Sequence, residues 1–332
     1  MIDTRLALAL SDAGLCIPEK GDIAVFRPPE VAQLPHLGRD RTEVIHDFKP
    51  LYDSWAARGY RVACQPGGDY AASIVCLPRA KEEARALFAD ACALTRGPVV
   101  IDGQKTDGID SILKAVKART GVHGPISKSH GKLFWIERPP ADLLGDWAAG
   151  PARTAGGFWT APGVFSADGI DLASAMLADA LPDKMGGAVA DLGAGWGFLS
   201  AHVLTRPDVT AVHLVEAGYM AVECAKRNVT DPRAQFHWAD VPAWTAPASL
   251  DTVVMNPPFH QTRAAEPQIG RGFIAAARGL LTARGTLWMV ANRHLPYEAD
   301  LTQHFAQVDE IGGDARFKLF CARRPRNPRS TR

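Results

Sequence analysis

Asp191-Leu192-Gly193-Ala194-Gly195-Trp196-Gly197 carries three alternating glycines, the first of them two positions after a carboxylate. Glycines so spaced let a backbone turn sharply and approach a ligand with no Cβ in the way. A second carboxylate, Glu216, closes the next apolar run after the loop. An acid in that position can accept hydrogen bonds from both hydroxyls of a ribose. Nicotinamide-binding loops share the layout in the form G-x-G-x-x-G. Here the spacing is G-x-G-x-G, and an acid ahead of the first glycine suits an ammonium group better than a pyrophosphate. A nucleoside that carries an ammonium and no phosphate is S-adenosylmethionine. Asp240, after the run Gln235–Trp238, is placed to accept from an adenine amino group.

Asn256-Pro257-Pro258-Phe259 lies downstream of the glycine loop and directly follows an apolar run. Ligands of open α/β sheets bind at such carboxyl ends of strands. Two consecutive prolines remove two backbone donors and stiffen the turn. The Asn256 amide oxygen and the Pro257 carbonyl can then both accept from one exocyclic amine. Held so, its nitrogen lone pair is drawn out of conjugation and can attack a sulfonium methyl in line. Phe259 offers a ring face for a base taken out of its stack.

These residues need a parallel sheet to bring them together. Apolar runs at Ala188–Leu192, Ala211–Val215, Asp251–Met255 and Thr286–Ala291 alternate with helical patterns at Phe198–Thr205, Tyr219–Val229 and Pro267–Leu281. That alternation predicts a parallel sheet covered on both faces. Val308–Ile311 and Phe317–Ala322, around Gly312-Gly313, predict a closing antiparallel hairpin. The first half gives strands at Ile23–Phe26, Ser73–Leu77 and Val99–Asp102, with helices at Pro50–Arg58, Lys81–Leu94 and Ser111–Arg119. Pro139-Pro140, Gly150-Pro151 and Gly156-Gly157 mark a linker between the halves. Lys132-Leu133-Phe134-Trp135-Ile136-Glu137-Arg138-Pro139 matches Lys318–Pro325 at five of eight positions. Gly97 and Gly285 open the strands before these segments at nearly the same offset. The match predicts duplication of one α/β unit. The first copy has no glycine loop, so it is not expected to bind the cofactor.

Composition excludes several classes. Of the 332 residues, 47% are apolar and 22% charged, which rules out a disordered chain or a coiled coil. No window reaches the length of a membrane helix, and the first residues lack the layout of a signal peptide; both favour the cytoplasm. Net charge is +1, but basic residues dominate after Asp314. Phosphate contacts are therefore expected from Lys318, Arg323, Arg324 and the tail beyond them. The six cysteines are scattered, and the histidines show no ligand spacing, so no disulfide or metal site is expected. His260, beside the tetrad, is a candidate substrate contact with Pro258.

With these motifs in place, the chain resembles the class I S-adenosylmethionine-dependent methyltransferases. More narrowly it resembles the bacterial rRNA guanine-N2 methyltransferases of the small ribosomal subunit and their large-subunit relatives. The marks are Pro162-Gly163-Val164-Phe165-Ser166 with Asp168-Gly169-Ile170-Asp171, the glycine loop and Asn256–His260. Ala291-Asn292-Arg293-His294-Leu295-Pro296-Tyr297, Arg316-Phe317-Lys318 and the first-half Gly103-x-x-x-x-Gly108 complete them. The resemblance implies two tandem Rossmann-like domains of the α/β class. Each has a seven-stranded mixed sheet with a C-terminal antiparallel hairpin. Residues 1–150 form a degenerate copy that holds RNA or braces its neighbour, and residues 151–332 form the catalytic copy. It implies a cofactor site of Phe165, Ser166, Asp191, Gly193, Gly195, Gly197, Glu216, Ala217, Asp240 and Asn256. Asn256, Pro257 and Phe259 would act on the target amine. The implied partner is ribosomal RNA or the small subunit, met by a monomer. Adenine N6, a protein glutamine, a nicotinamide oxidoreductase and a vestigial RNA-binding fold are the alternatives these residues leave open.

Overall fold

The computed structural model describes residues 2–258 and 267–326. It divides into two compact units, Met1–Pro151 with Ala161–Gly163, and Ala152–Thr160 with Val164–Arg332. No helix among the described residues is long and apolar enough to cross a membrane.

The first unit contains α1 (Ile2–Ser11), β1 (Ile23–Phe26), β2 (Thr42–Ile45), α2 (Lys49–Ala57), β3 (Arg61–Ala63) and β4 (Ala72–Cys76). It continues with α3 (Lys81–Ala93), β5 (Val99–Gln104), α4 (Ile109–Lys117), β6 (His123–Lys128) and β7 (Gly131–Ile136). Its seven-stranded sheet runs β3-β2-β1-β4-β5-β7-β6. β1 and β4 are buried at every position, as parallel strands covered on both faces must be. α4 shows how a helix is held there: Ile109, Ile112, Leu113 and Val116 form one buried stripe. β2 and β3 are not among the strands expected from sequence. They are four and three residues long, and β3 is a half-exposed edge, too short to show an alternating pattern.

The second unit opens with the hairpin β8 (Ala152–Arg153) and β9 (Trp159–Thr160). It then contains α5 (Leu172–Ala180), β10 (Ala188–Leu192), α6 (Phe198–Val203), β11 (Ala211–Glu216), α7 (Tyr219–Asn228), β12 (Ala234–Trp238) and β13 (Leu250–Met255). It ends with α8 (Pro267–Leu280), β14 (Leu281–Asn292), α9 (Glu298–His304), β15 (Phe305–Gly313) and β16 (Phe317–Pro325). Its main sheet runs β12-β11-β10-β13-β14-β16-β15, the order of the first sheet strand for strand. The duplication read from the two Lys-Leu-Phe segments is therefore a duplication of topology. An ion pair repeats with it. Lys132 at the start of β7 meets Asp110 in the first turn of α4, and Lys318 at the start of β16 meets Glu298 in the first turn of α9.

That pair corrects one sequence expectation. Lys318 is 4% exposed, with its ammonium on Glu298, so it ties a helix to the sheet rather than presenting a charge to RNA. Strand register sets two further candidate contacts, Arg323 and Arg324, apart from the motif residues. β16 runs antiparallel to β14, with Lys318 opposite Ala291 but Arg323 opposite Thr286, which in turn pairs with Thr252 of β13. Arg323 and the following Arg324 thus lie toward the amino edge of the sheet. At ~3.3 Å per residue, they are roughly 13 Å along the strands from Asn256. Arg323 is also paired with Asp309.

Candidate cofactor and acceptor site

β10 is the central strand, and its register gathers the motifs. Leu192 pairs with Val215 of β11 on one side and Met255 of β13 on the other. Gly193, Glu216 and Asn256 are each the next residue, so all three emerge side by side at the carboxyl edge.

Gly193, Gly195 and Gly197 all have left-handed backbones, at φ 76°, 54° and 92°. A Cβ on Gly197 would stand 2.8 Å from the Val229 side chain, and one on Gly193 would stand 3.2 Å from the Phe273 ring. Gly193 and Gly197 are thus required by both conformation and space, and Gly195 by conformation alone. Trp196 is buried against Phe158 at 4.8 Å and Phe198 at 5.9 Å between ring centroids. Asn228 Nδ2 donates to the carbonyls of Trp196 and Trp159, which ties the loop to the β8–β9 hairpin. Neither the Trp196 anchor nor Asn228 is signalled by a motif.

Glu216 is bonded into this loop. Its Oε2 accepts from the Gly195 backbone at 2.9 Å and its Oε1 from Gly218 at 2.7 Å. Ala217 beside it accepts through its carbonyl from Trp238 Nε1 at 2.8 Å. Asp240 is half-buried and opens a single turn of 3-10 helix at 241–243.

Asp191 lies fully buried beneath the loop. Its Oδ2 accepts from Ser200 Oγ at 2.7 Å, while its Oδ1 has no partner. Burial pushes the carboxyl up to about 7, against the lowering effect of the Ser200 hydrogen bonds. A buried carboxylate oxygen left unpaired is costly.

A cleft opens in front of the loop, lined by Gly193–Trp196, Phe198 and Leu199, by Asn256, and by Phe165, Ser166, Asp171 and Ser174. Ser166 has φ 53° and donates from Oγ to the Gly169 carbonyl at 2.8 Å. Its neighbour Phe165 is left 55% exposed at the rim. Asn256 Nδ2 donates to Asp171 Oδ2 at 3.0 Å and to Ser174 Oγ at 2.9 Å. Pro257 is buried and Pro258 exposed. Phe259 and His260 lie outside the described residues.

The first unit fills the equivalent place differently. After β1 comes Arg27-Pro28-Pro29 instead of a glycine loop. The Arg27 guanidinium pairs with Asp47, which follows β2, and lies 3.0 Å from Glu83 of α3. His46 beside them is buried, and burial and then Arg27 hold its pKa down at about 3.

Comparison with known proteins agrees with this geometry. The Pseudomonas paraeruginosa ribosomal RNA large subunit methyltransferase G is 36% identical over 195 residues, 57% of this chain and 48% of that protein. Its Pseudomonas putida counterpart is 35% identical over 227 residues, 65% of this chain and 56% of that protein. The chain thus spans about half the length of these relatives. The T. thermophilus 16S rRNA N2 G1207 methyltransferase (RsmC), solved with AdoMet and guanosine, superposes with a TM-score of 0.78 at 25% identity. That superposition covers 93% of this chain and 90% of the other. The methyltransferase small domain matches residues 155–321, half of the chain, and the chain belongs to that family.

Proposed function

We propose that the second unit transfers a methyl group from S-adenosylmethionine to the exocyclic N2 amine of a guanine in ribosomal RNA, the 16S RNA of the small subunit. The observation that carries this reading is the Asn256 amide. It stands at the carboxyl end of β13, in the wall of the cleft, with its nitrogen already committed to Asp171 and Ser174.

The residues present fit that cofactor. The unpaired Oδ1 of Asp191 would suit the ammonium of the methionine moiety, and the Glu216 carboxylate would accept from the ribose hydroxyls. Phe165, Ser166 and Ala217 would wall the cofactor, and Asp240 would accept from the adenine amine. Bound there, the cofactor would supply an electrophilic sulfonium methyl with a neutral thioether as its leaving group. The chain itself needs to hold one amine with two acceptors, Asn256 Oδ1 and the Pro257 carbonyl. The cation first formed on methylation is acidic and gives its proton to water, so no strong side-chain base is required.

Two similarities support an rRNA guanine. The T. thermophilus enzyme is alike over nearly the whole chain, and the large-subunit relatives over about half of their length. The described site residues come from one unit of one chain, which supports action as a monomer, and an rRNA substrate supports a place in the cytoplasm. We read 151–332 as the catalytic domain and 1–150 as a degenerate copy. The test is nucleoside mass mapping of 16S and 23S rRNA from a strain lacking the protein. One N2-methylguanosine should vanish from 16S rRNA and return when purified protein and cofactor are added. An unchanged map, or a lost methyladenosine, overturns the reading.

A further inference from the structure

We infer that Asp171, with Ser174, is a positioning residue that fixes which face of the Asn256 amide meets the acceptor amine. The inference rests on the proposed methyl transfer and adds to it a device outside the glycine loop and the Asn-Pro-Pro turn.

An asparagine amide has two nearly isosteric ends, an acceptor oxygen and a donor NH2. Only one orientation serves an acceptor amine. With NH2 forward, two donors would face each other, and the amine lone pair would not be exposed. Nothing in Asn256 itself decides between the orientations. Asp171 does, because a carboxylate can only accept. Its Oδ2 lies 3.0 Å from one end of the amide, so that end must be the NH2. Ser174 Oγ, at 2.9 Å, takes the second amide proton. Oδ1 is left as the one polar atom of the amide not committed to α5.

The arrangement is built into the start of a helix. Asp171 is the N-cap of α5, and the same Oδ2 accepts from the Ser174 backbone at 2.8 Å. The cap therefore fixes the carboxylate before Asn256 meets it. Ser174 is buried, and the pair lines the cleft with Asn256. Orientation is set by contacts within the chain itself, so no reorganisation is needed when substrate arrives.

Asp171→Asn separates this role from helix capping. Asparagine caps a helix about as well as aspartate, but its amide can present a donor or an acceptor to Asn256. The expected result is a loss in kcat of about 10- to 100-fold, on the scale of small misplacements of reacting groups. Calorimetric affinity for S-adenosylmethionine should stay within about twofold, on the same argument. Asp171→Asn added to Asn256→Ala should cost nothing further, because a residue that acts only through Asn256 is silent without it. A readout independent of turnover is the Asn256 side-chain amide in the 15N NMR spectrum of the cofactor-free protein, assigned by its loss in Asn256→Ala. Its protons should be protected in the wild type and exchange faster in Asp171→Asn. Wild-type kcat, an additive loss in the Asn256→Ala background, or unchanged amide exchange overturns the inference and leaves the methyltransferase reading standing. If wild-type protein methylates no RNA while the amide behaves as expected, the reading falls and the orientation of Asn256 by Asp171 survives.

Discussion

Asp191 and Ser200 share a 2.7 Å hydrogen bond in a fully buried place, and the other Asp191 oxygen is left with no partner. The carboxyl is raised from 3.8 to about 7 by burial, so the folded protein keeps a proton that the unfolded chain releases near 4. Stability from this group is therefore present at low pH and is lost as pH rises from about 4 to about 7. Thermal melts of cofactor-free protein at pH 5 and pH 8 should show a larger fall for wild type than for Asp191→Asn. Cofactor affinity should move the other way and rise through the same window, because pairing with an ammonium needs the ionised form. Matching pH profiles in the two proteins would rule out this account of Asp191.

Glu216 joins the loop and the proposed ribose contact through one carboxylate. Glu216→Ala removes the acceptor for Gly195 and Gly218 as well as the proposed pair of ribose bonds. Charge-assisted bonds contribute on the order of 1.5–3 kcal/mol each before solvent compensation. If only about 1.4 kcal/mol survives compensation, Kd still changes tenfold. Calorimetry should show at least that loss, with Glu216→Gln in between.

Asn256→Ala should separate chemistry from cofactor binding. With the amide in its proposed role on the acceptor amine, single-turnover methyl transfer should fall by about 100-fold, the scale of losing one preorganised polar contact. Affinity for S-adenosylmethionine should be nearly unchanged. Transfer at the wild-type rate would remove Asn256 from the chemistry.

One cofactor per chain is expected. In the first unit the Arg27 guanidinium with Asp47 and Glu83 stands where the second unit has open glycines. In this half-buried cluster the carboxylates already have a cationic partner, whereas Asp191 has an oxygen with none. Calorimetric stoichiometry should be near one, and two equivalent sites would contradict this.

The sequence exposes what has a local signature. The glycine loop, Glu216 and the Asn-Pro-Pro turn are each written in a few adjacent residues, and the register of β10 brings them together as strand alternation predicts. Partnerships between distant residues leave no such mark. Asp171 and Ser174 meet Asn256 across 85 and 82 positions, and Asn228 meets Trp159 across 69. The cationic C-terminal strand needs the fold before it can be read, for a related reason. Charge is visible in sequence, but strand direction decides which edge of the sheet carries it. Lys318 and Arg323 belong to the same strand, yet one is buried in an ion pair and the other lies toward the amino edge.

That edge effect gives a prediction about RNA. Arg316 precedes β16, and its carbonyl accepts from Arg293 at 2.8 Å, at the carboxyl end of β14, on the side where Asn256 emerges. Its side chain is 62% exposed. Arg324 is exposed as well, but toward the opposite edge. If RNA is held around the cleft, Arg316→Ala should weaken binding across sequences. The slope of log K against log salt should flatten by about 0.7–0.9, the value for one lost phosphate contact. Arg324→Ala should leave both quantities unchanged. Filter binding across a salt series reads both variants. The reverse pattern, with Arg324 carrying the slope and Arg316 silent, would place the RNA path along the amino edge and restore a phosphate-binding role to the C-terminal strand.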